Sequence, residues 1–145
     1  MREYFRILAV DPGDKRLGIA VSDQTRTIAS PLTIIKHRSR EQDALAILDK
    51  AEEYQAGLIL IGQALDWNGK VSQQGEKSAR LAEVLLSLGN VPVILWNEYG
   101  STAAVQKAQQ TMNIPRKKRQ EHKDHLAAAV ILQSYLDAHN PVEDV

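Results

Sequence analysis

The sequence predicts an open α/β sheet in which three antiparallel strands are followed by strands alternating with helices, and three observations carry that expectation. Two unbroken apolar runs, residues 7–10 (Ile-Leu-Ala-Val) and 58–61 (Leu-Ile-Leu-Ile), have the length and composition of strands buried on both faces. The first run is followed at once by Asp11 and by the turn residues Pro12, Gly13 and Asp14, after which residues 17–21 are apolar again, so the chain folds back as a hairpin. From Ser39 onward helical stripes alternate with strands, as crossover connections to parallel strands require.

Taken in order, residues 28–35 predict a third strand beside the second, with Pro31 marking an edge position or a bulge. Ser39 and Gln42 have capping-box spacing and open a helix whose Ala44, Ile47, Leu48 and Ala51 form one stripe, with Gly57 as its end. The run at 58–61 is then a fourth strand, closed by Gly62, and the polar stretch after it contains the turn dipeptide Asn68-Gly69. A second helix directs Leu81, Ala82, Leu85 and Leu88 inward and stops at Gly89. Residues 91–96 form the fifth strand, with Pro92 near its start. Ser101 caps a short helix over 102–110, periodicity breaks over 111–121 at Asn113 and Pro115, and the last helix covers 122–138. Strands one, four and five are expected to run parallel at the centre of the sheet. Sites in such sheets form beyond the carboxyl ends of the parallel strands, which is where Asp11 and Glu98 fall.

Composition bounds the function. A chain of 145 residues suits a single domain over 1–145 with one core. No apolar run approaches the ~18 residues of a membrane span, and the first strand follows Met1 too closely for a secretory signal, so no membrane association and a cytoplasmic location are expected. The absence of cysteine excludes disulfides and thiolate metal sites, leaving oxygen or imidazole ligands. With 18 basic and 18 acidic residues the chain has no general attraction to polyanions, so any nucleic-acid contact must be local. Local asymmetry exists in Arg116, Lys117, Lys118 and Arg119, a predicted basic loop just ahead of the last helix.

Asp124 precedes Ala127, Ala128, Ile131 and Tyr135 by three, four, seven and eleven residues and so shares their helical face. Taken alone it reads equally as an acid favourably placed in the first turn of a helix. Together with Asp11 and Glu98 it makes a set of three carboxylates aimed at one end of the sheet. At ~5 Å and an effective dielectric near 20, each pair would repel by roughly 3 kcal/mol. Either the acids take up protons or divalent cations neutralise them, and Mg²⁺ or Mn²⁺, two ions ~3.5–4 Å apart, would suit hydrolysis of a phosphodiester.

The segments DPGDKRLGIAVS from residue 11, the IG…NG loop over 61–69, NEYGST over 97–102 and KDHLAAAVIL over 123–132 resemble, in order and spacing, the YqgF family. This is a ribonuclease-H-like group described as Holliday-junction resolvases and implicated in maturing the 5′ end of pre-16S ribosomal RNA. The resemblance spans nearly the whole chain and implies a ribonuclease-H-like sheet flanked by helices. It further implies Asp11, Glu98 and Asp124 as metal-binding catalytic acids and Arg16 as a basic partner in the first loop. Lys15, Arg16, Arg116, Lys117, Lys118 and Arg119 are the expected nucleic-acid contacts, with pre-rRNA or branched DNA as the partner and a monomer or homodimer as the working form. Two departures are local: Asn97-Glu98-Tyr99-Gly100 stands where the family usually carries Asp-Glu-Arg, and Gly62-Gln63-Ala64 where it usually carries Gly-Leu-Pro; a tyrosine hydroxyl replaces a guanidinium poorly as a phosphate ligand.

Other readings have less behind them. Gly69-Lys70 lacks the glycine spacing of a phosphate-binding loop. His122 and His125 flank Asp124 but have no third imidazole near them in sequence, and they are expected, with His37 and His139, at the rim of the site or in solvent. An ATP-binding domain of the actin and Hsp70 type pairs a similar hairpin with a related sheet but needs two such domains to enclose a nucleotide. A binding module that keeps the fold without turnover is the remaining alternative.

Overall fold

A computed structural model of the protein describes residues 5–65, 68–97 and 116–139, the side chains of 116–125 excepted. The elements are β1 (Arg6–Pro12), β2 (Arg16–Ser22), β3 (Ala29–Lys36), α1 (Arg40–Glu53), β4 (Ala56–Gln63), α2 (Gln73–Leu88), β5 (Val93–Asn97) and α3 (Arg116–His139). The strands form one sheet in the order β3-β2-β1-β4-β5, with β1–β2 and β2–β3 antiparallel and β1–β4 and β4–β5 parallel. The mixed α/β architecture is as the sequence predicts. The parallel strands are not all central, however: β1 is the middle strand and β5 closes one edge.

Alternation along β1 divides the interior into two cores. Leu8 and Val10 pack with Leu17, Ile19, Ile59 and Ile61 beneath α1 and α2, which contribute Ala44, Ile47, Ala51, Leu81, Ala82 and Leu85. Ile7 and Ala9 point to the other face, where Ala20 and Leu60 meet Ala128, Ile131, Leu132 and Leu136 of α3. Small residues on both sides let α3 lie close to the sheet. Both cores exist because the residues at 7–10 and 58–61 are apolar at every position, so neither face of the central strands can be left to water.

Local signals explain most boundaries. The Ser39 side chain accepts a hydrogen bond from the Gln42 N–H at the start of α1, and Ser72 does the same for Gly75 at the start of α2. Gly69 adopts φ +83°, which its turn requires. Pro31 lies in the edge strand β3, at a register shift opposite Ala20. Gly89 caps α2 in an extended conformation, and its N–H donates to the Leu85 carbonyl.

Four expectations are corrected. Tyr54, not Gly57, caps α1; Gly57 lies inside β4, where a Cβ would come within 2.7 Å of the Phe5 ring. β5 begins at Val93, after Pro92, whose carbonyl accepts from the Ile59 N–H. Leu88 ends α2 largely exposed rather than inward. The last helix begins at Arg116 instead of 122, so the basic run belongs to its first turn and Asp124 to its third. Residues 116–123 lack an apolar stripe but are nearly all good helix formers, so intrinsic propensity rather than amphipathic periodicity favours helix there. The expected short helix over 102–110 and the break at 111–115 lie outside the described residues.

Candidate active site

Asp11 is the second-last residue of β1 and pairs in the ladder with Gly18 of β2. By alternation it shares the face of Ile7 and Ala9, the face that α3 covers. It is half-buried. Gly18 is therefore the neighbour with no side chain beside the carboxylate. Arg16, two residues earlier on β2, returns to the same face, while Leu17 between them packs into the opposite core. The alternation thus places an acid and a guanidinium-bearing residue on one face at one end of the sheet.

The loop carrying this corner is held from several sides. The Gly13 N–H donates to the Arg16 carbonyl at 2.9 Å, and a Cβ on Gly13 would meet that oxygen at 2.6 Å, so the turn tolerates only glycine there. Gln74 of α2 donates its Nε2 to the Pro12 carbonyl at 2.7 Å, and Lys77 reaches Asp14 at 3.0 Å. On the β3 side the His37 N–H donates to the Lys15 carbonyl at 2.9 Å. A carboxylate on a paired strand beside a tied-down turn has little freedom left to lose when it binds a ligand.

A cavity of about 260 Å³ opens at the same end of the sheet but on the α1/α2 side, lined in part by Gly13, Leu17, His37, Asp43 and Lys77. It is back to back with Asp11 rather than around it. Within it lies a pairing that the sequence reading missed. Asp43, only 4% exposed, joins its carboxylate to His37 Nδ1 and accepts from the Arg38 N–H at 3.0 Å. His37 stays 41% exposed, as expected of a histidine at a rim or in solvent, but its ring is paired with the Asp43 carboxylate. Its spacing of six residues from Asp43, across a helix start, gave no periodic signal.

The other predicted site residues stand as follows. Lys15 is exposed in the first turn. Glu98 and Tyr99 follow the last residue of β5 and lie outside the described residues. Asp124, Arg116, Lys117, Lys118 and Arg119 lie on α3, with side chains outside the description, as are those of His122 and His125. His139 stacks on Tyr135 with ring centroids 4.0 Å apart, and Trp96 meets Tyr135 edge-on at 5.1 Å. Among the described residues no three His, Asp or Glu side chains gather as a metal site, since Asp11 is the one expected ligand whose side chain is described.

Residues 5–138 match the family RuvX, described as Holliday junction resolvase. A protein of Thermoanaerobacter pseudethanolicus named "Putative pre-16S rRNA nuclease" is 41% identical over 134 residues, covering 92% of this chain and 96% of its own. A Geobacillus protein of the same name is 41% identical over 135 residues, covering 92% and 98%. Among solved structures, T. thermophilus RuvC in complex with a Holliday junction substrate superposes with a TM-score of 0.63 at 12% identity, covering 96% of this chain and 98% of that one. The Fowlpox virus resolvase bound to junction DNA superposes at 0.55 with 15% identity, covering 92% and 98%. At such identities these two likenesses show the fold alone, a ribonuclease-H-like mixed sheet.

Proposed function

The chain belongs to the RuvX family, the YqgF group of the sequence resemblance, and from that premise we propose that it is a metal-dependent endonuclease processing the 5′ end of pre-16S ribosomal RNA. The observation that carries the reading is the placement of Asp11: a half-buried carboxylate at the carboxyl end of the central strand, on the face covered by the helix that bears Asp124. Asp124 is in helical phase with Ala128 and Ile131, which pack on that face. Glu98 follows β5 with the even numbering of Ile94 and Trp96, both of which pack toward α3. This phase and parity support one cluster of three acids.

Oxygen donors of this kind fit Mg²⁺ or Mn²⁺, with Asp11, Glu98 and Asp124 as the holding residues. Bound there, the metal supplies an activated water and neutralises charge building on the scissile phosphate. The protein's own part is positional. The tied turn fixes Asp11, Arg16 offers a planar donor set to a phosphate on the same face, and Arg116 to Arg119, with Lys15, supply backbone contacts. No described helix is long and apolar enough to cross a membrane, which fits work on RNA in the cytoplasm.

The test is single-turnover cleavage of a labelled RNA spanning the pre-16S 5′ junction, beside a four-way DNA junction, with and without Mg²⁺. Wild-type protein should cut the RNA only with metal, and Asp11→Asn should lower the rate by at least about a hundredfold, the scale on which lost transition-state contacts register. Mg²⁺-independent cleavage, or an unimpaired Asp11→Asn enzyme, would remove the assignment. Preferential cutting of the DNA junction would keep the chemistry and transfer the substrate.

A further inference from the structure

The β2–β3 ladder sets Arg16 directly opposite Lys36. Leu17 and Ile35, the next pair, pack toward α1 and α2, so Arg16 and Lys36 both belong to the opposite face, the one that carries Asp11 and Gly18. Like charges directly across a ladder weaken it, so the fold gains nothing from this pair by itself. Lys36 is exposed, and its side chain has no hydrogen bond or ion pair among the described residues; the same holds for Arg38.

The segment that presents them is nevertheless held in place. The His37 N–H is bonded to Lys15, the Arg38 N–H to the buried Asp43, and His37 to the same carboxylate. Lys36 ends β3, the edge strand, so nothing further in the sheet covers its open side. Two strand steps of about 4.8 Å separate β3 from β1, so Lys36 lies roughly 10 Å sideways from the strand of Asp11.

We propose that Lys36, with Arg38, binds backbone phosphates beyond the one that is cut, so that the nucleic acid passes the exposed β3 edge on its way from the site. This rests on the nuclease reading and adds to it a direction for the substrate. The run Lys36-His37-Arg38-Ser39-Arg40 announces a basic segment in the sequence, but only the ladder register shows that its first residue shares the face of Asp11.

The experiment compares the double variant Lys36→Ala/Arg38→Ala with a charge-matched control, Lys50→Ala/Arg80→Ala, in binding a fluorescein-labelled RNA hairpin with a single-stranded extension. Ca²⁺ replaces Mg²⁺ to hold the complex uncut, and salt is varied. The slope of log affinity against log salt should fall by about 1.4–1.8 in the double variant, at about 0.7–0.9 per lost phosphate contact, and stay unchanged in the control. In Mg²⁺ the KM should rise while the saturating single-turnover rate stays within about twofold. Without nucleic acid, Lys36→Ala should melt at or above the wild-type temperature, because a repulsion has been removed. A slope equal to the control's, or a lowered melting temperature for Lys36→Ala, overturns the inference while wild-type cleavage leaves the nuclease reading standing. A wild-type protein that neither binds nor cuts the hairpin overturns both.

Discussion

Asp43 is the residue whose loss the fold should feel most sharply near the site. Its buried carboxylate holds the Arg38 N–H and His37 together, and removing it strands a backbone donor and an imidazole at the start of α1. Asp43→Ala should cost about 2–3 kcal/mol in urea unfolding, as for other buried groups that lose a charge-assisted partner. Asp23 offers a test in pH. Its carboxylate accepts from the N–H groups of Thr27 at 2.8 Å and Ile28 at 3.2 Å and from the Thr25 hydroxyl at 3.0 Å, closing the turn between β2 and β3. The Thr27 bond, with the others, holds its pKa below the usual carboxylate value despite an opposing contribution from burial. A group with a lowered folded pKa adds stability above its unfolded pKa and loses it as pH falls through the folded one. The stability difference between wild type and Asp23→Ala should therefore be full near pH 7 and shrink as pH drops below about 4. A difference independent of pH would mean that the turn is held by its backbone bonds alone.

Among the elements, α3 carries an internal conflict. Its first turn holds Arg116, Lys117, Lys118 and Arg119 and no acid, although positive charge at a helix N-terminus opposes the macrodipole by about 0.3–1 kcal/mol per charge. Contact with phosphates by this run would account for keeping it. Lys117→Glu should then raise the melting temperature of the free protein and weaken RNA binding in the same variant; thermal melts and a binding titration read the two effects separately. A gain in stability without loss of binding would return the run to ordinary solvated surface. The helices α1 and α2 show no such conflict. Ser39 and Ser72 cap them as their sequences suggest, and their apolar stripes lie on the sheet. Elements that serve packing were legible from periodicity, whereas residues 116–121 are helical where their broken apolar periodicity predicts loop.

At the scale of the whole molecule, mutual repulsion makes the proposed cluster of acids an internal cost that bound divalent cations would relieve. Millimolar Mg²⁺ should raise the melting temperature by a few degrees, and Asp11→Asn should blunt the rise; calorimetry giving equal midpoints with and without metal would count against shared ions. Much of this molecule was written along the chain. Apolar runs at 7–10 and 58–61 determined buried strands, Pro12 to Asp14 determined the hairpin, and stripes of Ala, Ile and Leu determined which helices cover the sheet, because burial and turn geometry act on neighbours in sequence. Tertiary structure alone decided that β5 is an edge and that Gly57 passes beneath Phe5. It alone joined His37 to Asp43 and set Lys36 beside Arg16 on the face of Asp11. These depend on strand register, where a shift of one residue turns every side chain to the other face, and register is settled by contacts between segments far apart in the chain.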